Sequence, residues 1–158
     1  MMLFEDNFLS ELTLVTPKID DSGDILFATY YQFGDLFNIY AAPNDSRNEL
    51  MTYDTTVNNL KKINKKTKQN WFIPDRELMM HMYTMRNVGD FINTFVIDER
   101  EQSDFYISHY YWTSTKYSSS SSNRVYSVDF TDGDKIMLRQ NARVLNHRLC
   151  RIKKEIYV

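Results

Sequence analysis

The chain has 158 residues, a formal net charge of −2 and one cysteine, Cys150. That length is one ordinary domain, with or without a short arm, and it can bury roughly 70% of the surface that the unfolded chain exposes, so a core needs no covalent staples. Four Gly and three Pro argue against a Gly-rich phosphate-cradling enzyme, a collagen-like fibre and a flexible linker, the lone thiol excludes an intramolecular disulfide and a multi-thiolate metal centre, and the small net charge gives no electrostatic ground for binding nucleic acid or a membrane surface.

Eleven Tyr, ten Phe and two Trp make the aromatics the feature to follow. Tyrosine suits half-buried strands and binding surfaces alike. Residues 1–22 lack clean periodicity and read as an N-terminal arm. It packs on the domain or on a neighbour. Glu5, Asp6, Glu11, Asp20, Asp21 and Asp24 make this end acidic against Lys18, whereas 139–154 carries Arg139, Arg143, Arg148, Arg151, Lys153 and Lys154 with no acid. Solvated faces and charge pairing are the expectation for both. Met1 to Asn7 show no basic stretch leading into an apolar run, so a chain made in the cytoplasm is expected.

Ile25 to Tyr31 and Asp35 to Ala42 are aromatic and β-branched runs separated by Gln32-Phe33-Gly34, which predicts a β-hairpin. Thr52 to Lys68 reads as a helix, with Tyr53, Val57, Leu60 and Ile63 at helical spacing. Lys61, Lys62, Lys65, Lys66 and Lys68 crowd its C-terminal half and read as a solvated face that suits the helix dipole. Asp75 predicts an N-cap for a second helix from Arg76 to about Val88, with Leu78, Met82 and Met85 buried and Gly89 as its C-cap. The methionines there read as core filler.

From Phe105 the pattern turns β. One strand is expected to Thr115, then Tyr117 leads into an exposed serine loop, Ser118 to Ser122. Val125 to Thr131 alternates, with Tyr126, Val128 and Phe130 on one face and Ser127 and Asp129 on the other. Asp132-Gly133 predicts a hairpin turn before Lys135 to Gln140, and a last strand is expected from about Arg143 to Ile152. The fold class is α+β: two helices packed on a mostly antiparallel, twisted sheet.

Six motifs in order carry a family resemblance. They are Gly23-Asp24-Ile25-Leu26-Phe27, Ala42-Pro43-Asn44-Asp45, Trp71-Phe72-Ile73-Pro74-Asp75-Arg76-Glu77-Leu78, Tyr111-Trp112-Thr113-Ser114-Thr115, Val128-Asp129-Phe130-Thr131-Asp132-Gly133 and His147-Arg148-Leu149-Cys150-Arg151. Together they resemble the family of the Legionella collagen-like protein C-terminal domain and the Fibrobacter major paralogous domains. That resemblance implies a C-type-lectin-like fold over residues 23–158 after the arm of 1–22. Phe72 stands where the family usually has Arg, and Cys150 sits one place later than the family's terminal cysteine. The motif residues read as largely structural. Trp71 and Trp112 are expected in the core. Of Arg148 and Arg151, one is expected to pair with an internal acid and the other to be exposed.

No catalytic constellation stands out. His81, His109 and His147 have no metal-ligand spacing, and His147 and Cys150 lie three apart on an expected strand, which points them to opposite faces. The related formylglycine-generating oxidases need paired cysteines. Pro43-Asn44-Asp45 superficially resembles a calcium-lectin motif but falls in the wrong element and lacks its W-N-D partner. No enzyme activity, cofactor or metal is therefore expected. In the resembled fold the loops between the late strands form the variable face. Here that face offers Tyr117, Ser119, Ser121, Asn123, Arg124, Lys135, Arg139 and Asn141 as ligand- or partner-binding residues, in the Tyr-Ser-Asn composition of adaptable paratopes. The expected role is a non-enzymatic binding or assembly domain in a phage or virus particle. Its partners would be proteins engaged through residues 1–22, a glycan or cell-surface ligand, and further copies of itself. A bacterial adhesin module and a retroelement-diversified variable protein are the alternative readings.

Overall fold

The computed structural model describes residues 12–43, 50–97, 106–117, 123–139 and 142–155, with the backbone alone for Met137 and Arg139. Four strands form one sheet: β1 (Thr13–Ile19), β2 (Ile25–Gln32), β3 (Asp35–Ala41) and β8 (Cys150–Lys154), in the order β1-β2-β3-β8. A second four-stranded sheet holds β4 (Tyr106–Lys116), β5 (Arg124–Asp129), β6 (Lys135–Arg139) and β7 (Val144–Asn146), in the order β6-β5-β4-β7. Every neighbouring pair is antiparallel except β4 and β7. Two helices, α1 (Tyr53–Thr67) and α2 (Arg76–Thr84), lie between the sheets in sequence. The expected α+β class with two helices holds, and the strands divide between two sheets rather than one.

Local chemistry explains several boundaries. The β2–β3 hairpin closes through Phe33 and Gly34, whose φ angles are 52° and 82°, after Gln32 pairs with Asp35. Thr52 caps α1 by accepting from the Thr55 N–H at 3.2 Å, and Lys68 ends the helix in the left-handed region at φ 55°. Asp75 caps α2 through the Leu78 N–H at 2.8 Å. The second helix stops at Thr84, short of the expected Val88, because Met85 leaves helical geometry and turns back to stay buried. Gly89 is not its C-cap. With φ 53° it opens a 3₁₀ turn (Gly89–Phe91) against β1, where a Cβ would sit 2.4 Å from the Pro17 carbonyl oxygen.

The apolar side chains form two clusters, one on each face of the second sheet. Ile25, Phe27, Ala28, Tyr30 and Ile39 of the first sheet meet Leu78, Met79 and Met82 of α2 together with Tyr111, Val128, Phe130 and Cys150. The other cluster joins Tyr53 of α1 to Ile73, Trp112, Val125 and Leu145, with Val57 and Leu60 packed against it. β4 and β5 are thus covered on both faces: Ser127 and Asp129 are buried as well as Val128 and Phe130, and Ser127 Oγ donates to the Ile136 carbonyl at 3.1 Å. Trp112 is fully buried as expected, whereas Trp71 is only half-buried, its Nε1 donating to Gln69 Oε1 at 2.8 Å.

Two further expectations change. Within the segment expected as an arm, residues 13–19 form β1, which packs on the domain itself by pairing with β2 and carries buried Pro17, and residues 1–11 lie outside the described residues. The single last strand is two: β7 pairs with β4, β8 pairs with β3, and His147-Arg148-Leu149 carry the chain from one sheet to the other. Among the described residues, no helix is long and apolar enough to cross a membrane.

Candidate functional site

The six motif segments meet in space. Phe72 and Cys150 exchange backbone hydrogen bonds of 2.8 and 2.9 Å. The Ser114 N–H donates to the Pro74 carbonyl at 2.9 Å, and the Arg76 N–H to Thr115 Oγ1 at 2.8 Å, so the entry to α2 is clamped on β4. Tyr111 lies opposite Val128. The Ala42 N–H donates to the Leu149 carbonyl at 2.9 Å, and Ile25 lies opposite Ala41.

Both arginines of the sixth motif are committed within this framework. Arg151 pairs with Asp24 at 2.7 Å and lies over the rings of Tyr40 and Trp71. It is the arginine expected to find an internal acid. Arg148, expected to be exposed if its neighbour paired, is instead fully buried. It sits on the crossing between sheets, where its Nε donates to the Ala42 carbonyl and its Nη1 to the Thr94 carbonyl, each at 2.8 Å, and its guanidinium rests 4.4 Å from the Phe95 ring centre. A three-residue spacing puts two arginines on opposite faces only along a continuous strand, and the strand breaks at Arg148.

The candidate binding residues fall into separate places. Tyr117 and Arg124 close the β4–β5 end, with the Tyr117 N–H donating to the Arg124 carbonyl at 3.1 Å. Asn123 and Arg124 are exposed, and Tyr117 is 36% exposed. The Arg139 backbone lies opposite Arg124, at the same end. Lys135 lies opposite Val128, four residues along β6 and so about 13 Å from Arg139. The hairpin register therefore removes Lys135 from that group. Ser119, Ser121 and Asn141 lie outside the described residues.

Arg76 joins the group unforeseen. Its guanidinium carbon stands 4.6 Å from the Tyr126 ring centre, and the Tyr126 ring meets Tyr117 edge-on at 6.5 Å. Glu77 Oε1 approaches Arg76 Nε at 3.6 Å. The sequence signal was the third motif, which places Arg76 directly after the α2 cap, but the contact depends on how α2 docks on β5. The result is a ledge of one cation over a ring that meets a second ring edge-on, a chemistry suited to an anionic or hydroxyl-rich ligand.

Cys150 and His109 are inward. Burial pushes the Cys150 thiol far above its usual range, with Arg148 pulling weakly the other way, and its Sγ packs 3.8 Å from Met82 Sδ. His109 is buried with Nε2 3.9 Å from Asp129 Oδ1, an oxygen that already accepts from the backbone and hydroxyl of Thr131. Among the described residues no group of three or more His, Cys, Asp or Glu side chains could hold a metal ion. No family model matches the chain, and no curated protein matches it either.

Proposed function

We propose that the chain is a non-enzymatic binding and assembly domain of C-type-lectin-like kind, serving as a structural or receptor-binding component of a phage or virus particle. The observation that carries this reading is the convergence of the six motif segments. Segments spread from Gly23 to Arg151 share hydrogen bonds and register, as the parts of one folding signature do, and Asp24 and Arg151 pair within it. A signature of that kind defines a scaffold, and binding then falls to what the scaffold presents. Mass spectrometry of purified particles from the producing cells tests the reading. The chain is expected at a fixed ratio to the major particle protein, and particles that lack it refute the assignment.

The ledge of Arg76, Tyr126 and Tyr117 favours a second reading, a bacterial ligand-binding or adhesin module. Saturable binding on a glycan array, lost in Tyr117→Ala, supports it, and a blank array argues against it. The retroelement-diversified reading predicts variation concentrated between about Tyr117 and His147 in sister clones.

A further inference from the structure

The β2–β3 turn carries two costs that nothing among the described residues repays. Phe33 is 96% exposed, and it occupies the first position of a two-residue turn at φ 52°, followed by Gly34 at φ 82°. Two successive left-handed residues are the type I′ arrangement, which favours Asn, Asp or Gly and disfavours a bulky side chain. A hairpin selected for folding alone would carry Asn-Gly here. Next to it, Tyr31 is 62% exposed. Their neighbours Tyr30 and Phe37 stack at 5.2 Å against the core side and hold the hairpin in the sheet. The tip is therefore a rigid aromatic knob. Backbone strain and exposed apolar surface at one residue point from geometry to function.

We infer that Phe33, with Tyr31 beside it, is the anchor by which this domain docks into an apolar pocket of a partner protein. Three features select a protein pocket over a bilayer. The two side chains offer roughly 300 Å² of surface, enough for one interface hot spot and small for membrane residence. Charge around the tip balances: Asp35 pairs with Lys154 at 3.1 Å, and on the adjoining strand Lys153 is followed by Lys154 and Glu155. Anionic lipid would call for an excess of cations. The knob is also pre-organised, since Gln32 pairs with Asp35 directly below it and the Glu155 N–H donates to the Leu36 carbonyl at 2.8 Å, so little ordering is lost on docking. This attachment point does not depend on the lectin-like reading, and it differs from the N-terminal arm that the sequence brought forward.

The substitution that separates folding from docking is Phe33→Asn. Asn suits the turn better than Phe, so the melting temperature is expected to hold or rise while the anchor is lost. In the producing cells, a photo-reactive benzoyl-phenylalanine at position 33 of the full chain should give one discrete crosslinked protein, which mass spectrometry identifies. That protein, purified, is then titrated against the wild-type chain, Phe33→Asn and Phe33→Trp. The inference requires saturable binding to wild type, a fall of at least about 30-fold in Phe33→Asn, and retention in Phe33→Trp. It is overturned by crosslinks to lipid, to a second copy of the chain or to nothing. Phe33-dependent sedimentation with phosphatidylcholine–phosphatidylserine vesicles overturns it as well. So does equal affinity of Phe33→Asn, or a drop in its melting temperature, which would make Phe33 a folding residue.

Discussion

Replacing Arg148 by Ala tests the framework where it is most concentrated. The side chain is fully buried and bridges the Ala42 and Thr94 carbonyls at 2.8 Å each, with the Phe95 ring 4.4 Å from its guanidinium carbon. Removing it strips two half-buried carbonyls of a charged donor, at about 1 kcal/mol each where water can partly return. The void left by the side chain adds about 2 kcal/mol, and the lost cation–ring contact about 0.5–1 kcal/mol. Release of the guanidinium from a dry site offsets part of this, so the net loss is about 3 kcal/mol. With a urea m-value of about 2 kcal/mol/M for a chain of this size, the unfolding midpoint should fall by about 1.5 M. Arg148→Lys should lie between, since one ammonium cannot reproduce the planar fork that spans both carbonyls. Equilibrium urea unfolding followed by tryptophan fluorescence and circular dichroism gives the midpoints. A shift below about 0.5 M in Arg148→Ala, with m unchanged, refutes the view that Arg148 ties the Ala42 and Thr94 segments together.

Three further outcomes follow from the same packing. Cys150, with its thiol raised by burial, should resist a thiol reagent such as dithionitrobenzoate at pH 8 and react only as urea opens the fold, whereas labelling within minutes in buffer would contradict its burial beside Met82. Burial raises the Asp75 carboxyl, with the Leu78 N–H pulling the other way. A carboxyl raised on folding lowers stability as pH climbs from its unfolded value of about 3.9 through its folded value. Asp75→Asn keeps the cap without the charge, so thermal melts should find it at least as stable as wild type at pH 7 and lose that advantage below about pH 4. Asp75→Ala should lose about 1 kcal/mol, and equal stability of the Ala variant would remove Asp75 as the cap. A double-mutant cycle of Asp24→Asn with Arg151→Gln should give a coupling of about 1–2 kcal/mol for a pair this sheltered, and a value under about 0.5 kcal/mol would make the contact incidental.

The elements legible in the sequence are those whose cause is local. The β2–β3 hairpin follows from two strand-like runs around Gly34, and both helices start where a Thr or an Asp offers a cap to the third residue beyond. What escaped depends on partners far along the chain. β1 lacks periodicity because its register with β2 shifts between Leu14 and Lys18, so no regular alternation is written into it. The break at Arg148 is set by β7 running parallel to β4 while β8 joins β3, a choice of two sheets that no window of sequence contains. The candidate site shows the same division. Tyr117, Asn123 and Arg124 come together because they flank one hairpin end, and Lys135 separates because it follows the opposite turn of that β-ribbon. Arg76 arrives only through docking of α2.

The distribution of polar groups decides where binding can lie. Inside the fold several are directed at backbone: Arg148 at two carbonyls, Thr113 Oγ1 at the Tyr126 carbonyl, Trp112 Nε1 at the Met51 carbonyl and Asn146 Nδ2 at the Ser108 carbonyl. Such bonds hold segments together, and a group spent on them has little left to recognise a ligand. Substitutions there change stability first and binding only through it. The residues whose placement the core does not explain are peripheral, and they differ in kind. Phe33 and Tyr31 present apolar surface on the first sheet, suited to a preformed pocket. Arg76, Tyr126 and Tyr117 present a cation beside two edge-on rings on the second, suited to a polar or anionic ligand. The proposed anchor and the ledge are thus chemically unlike and lie on different sheets, so substitution of Phe33 should leave any binding at Tyr117 unchanged, and the reverse.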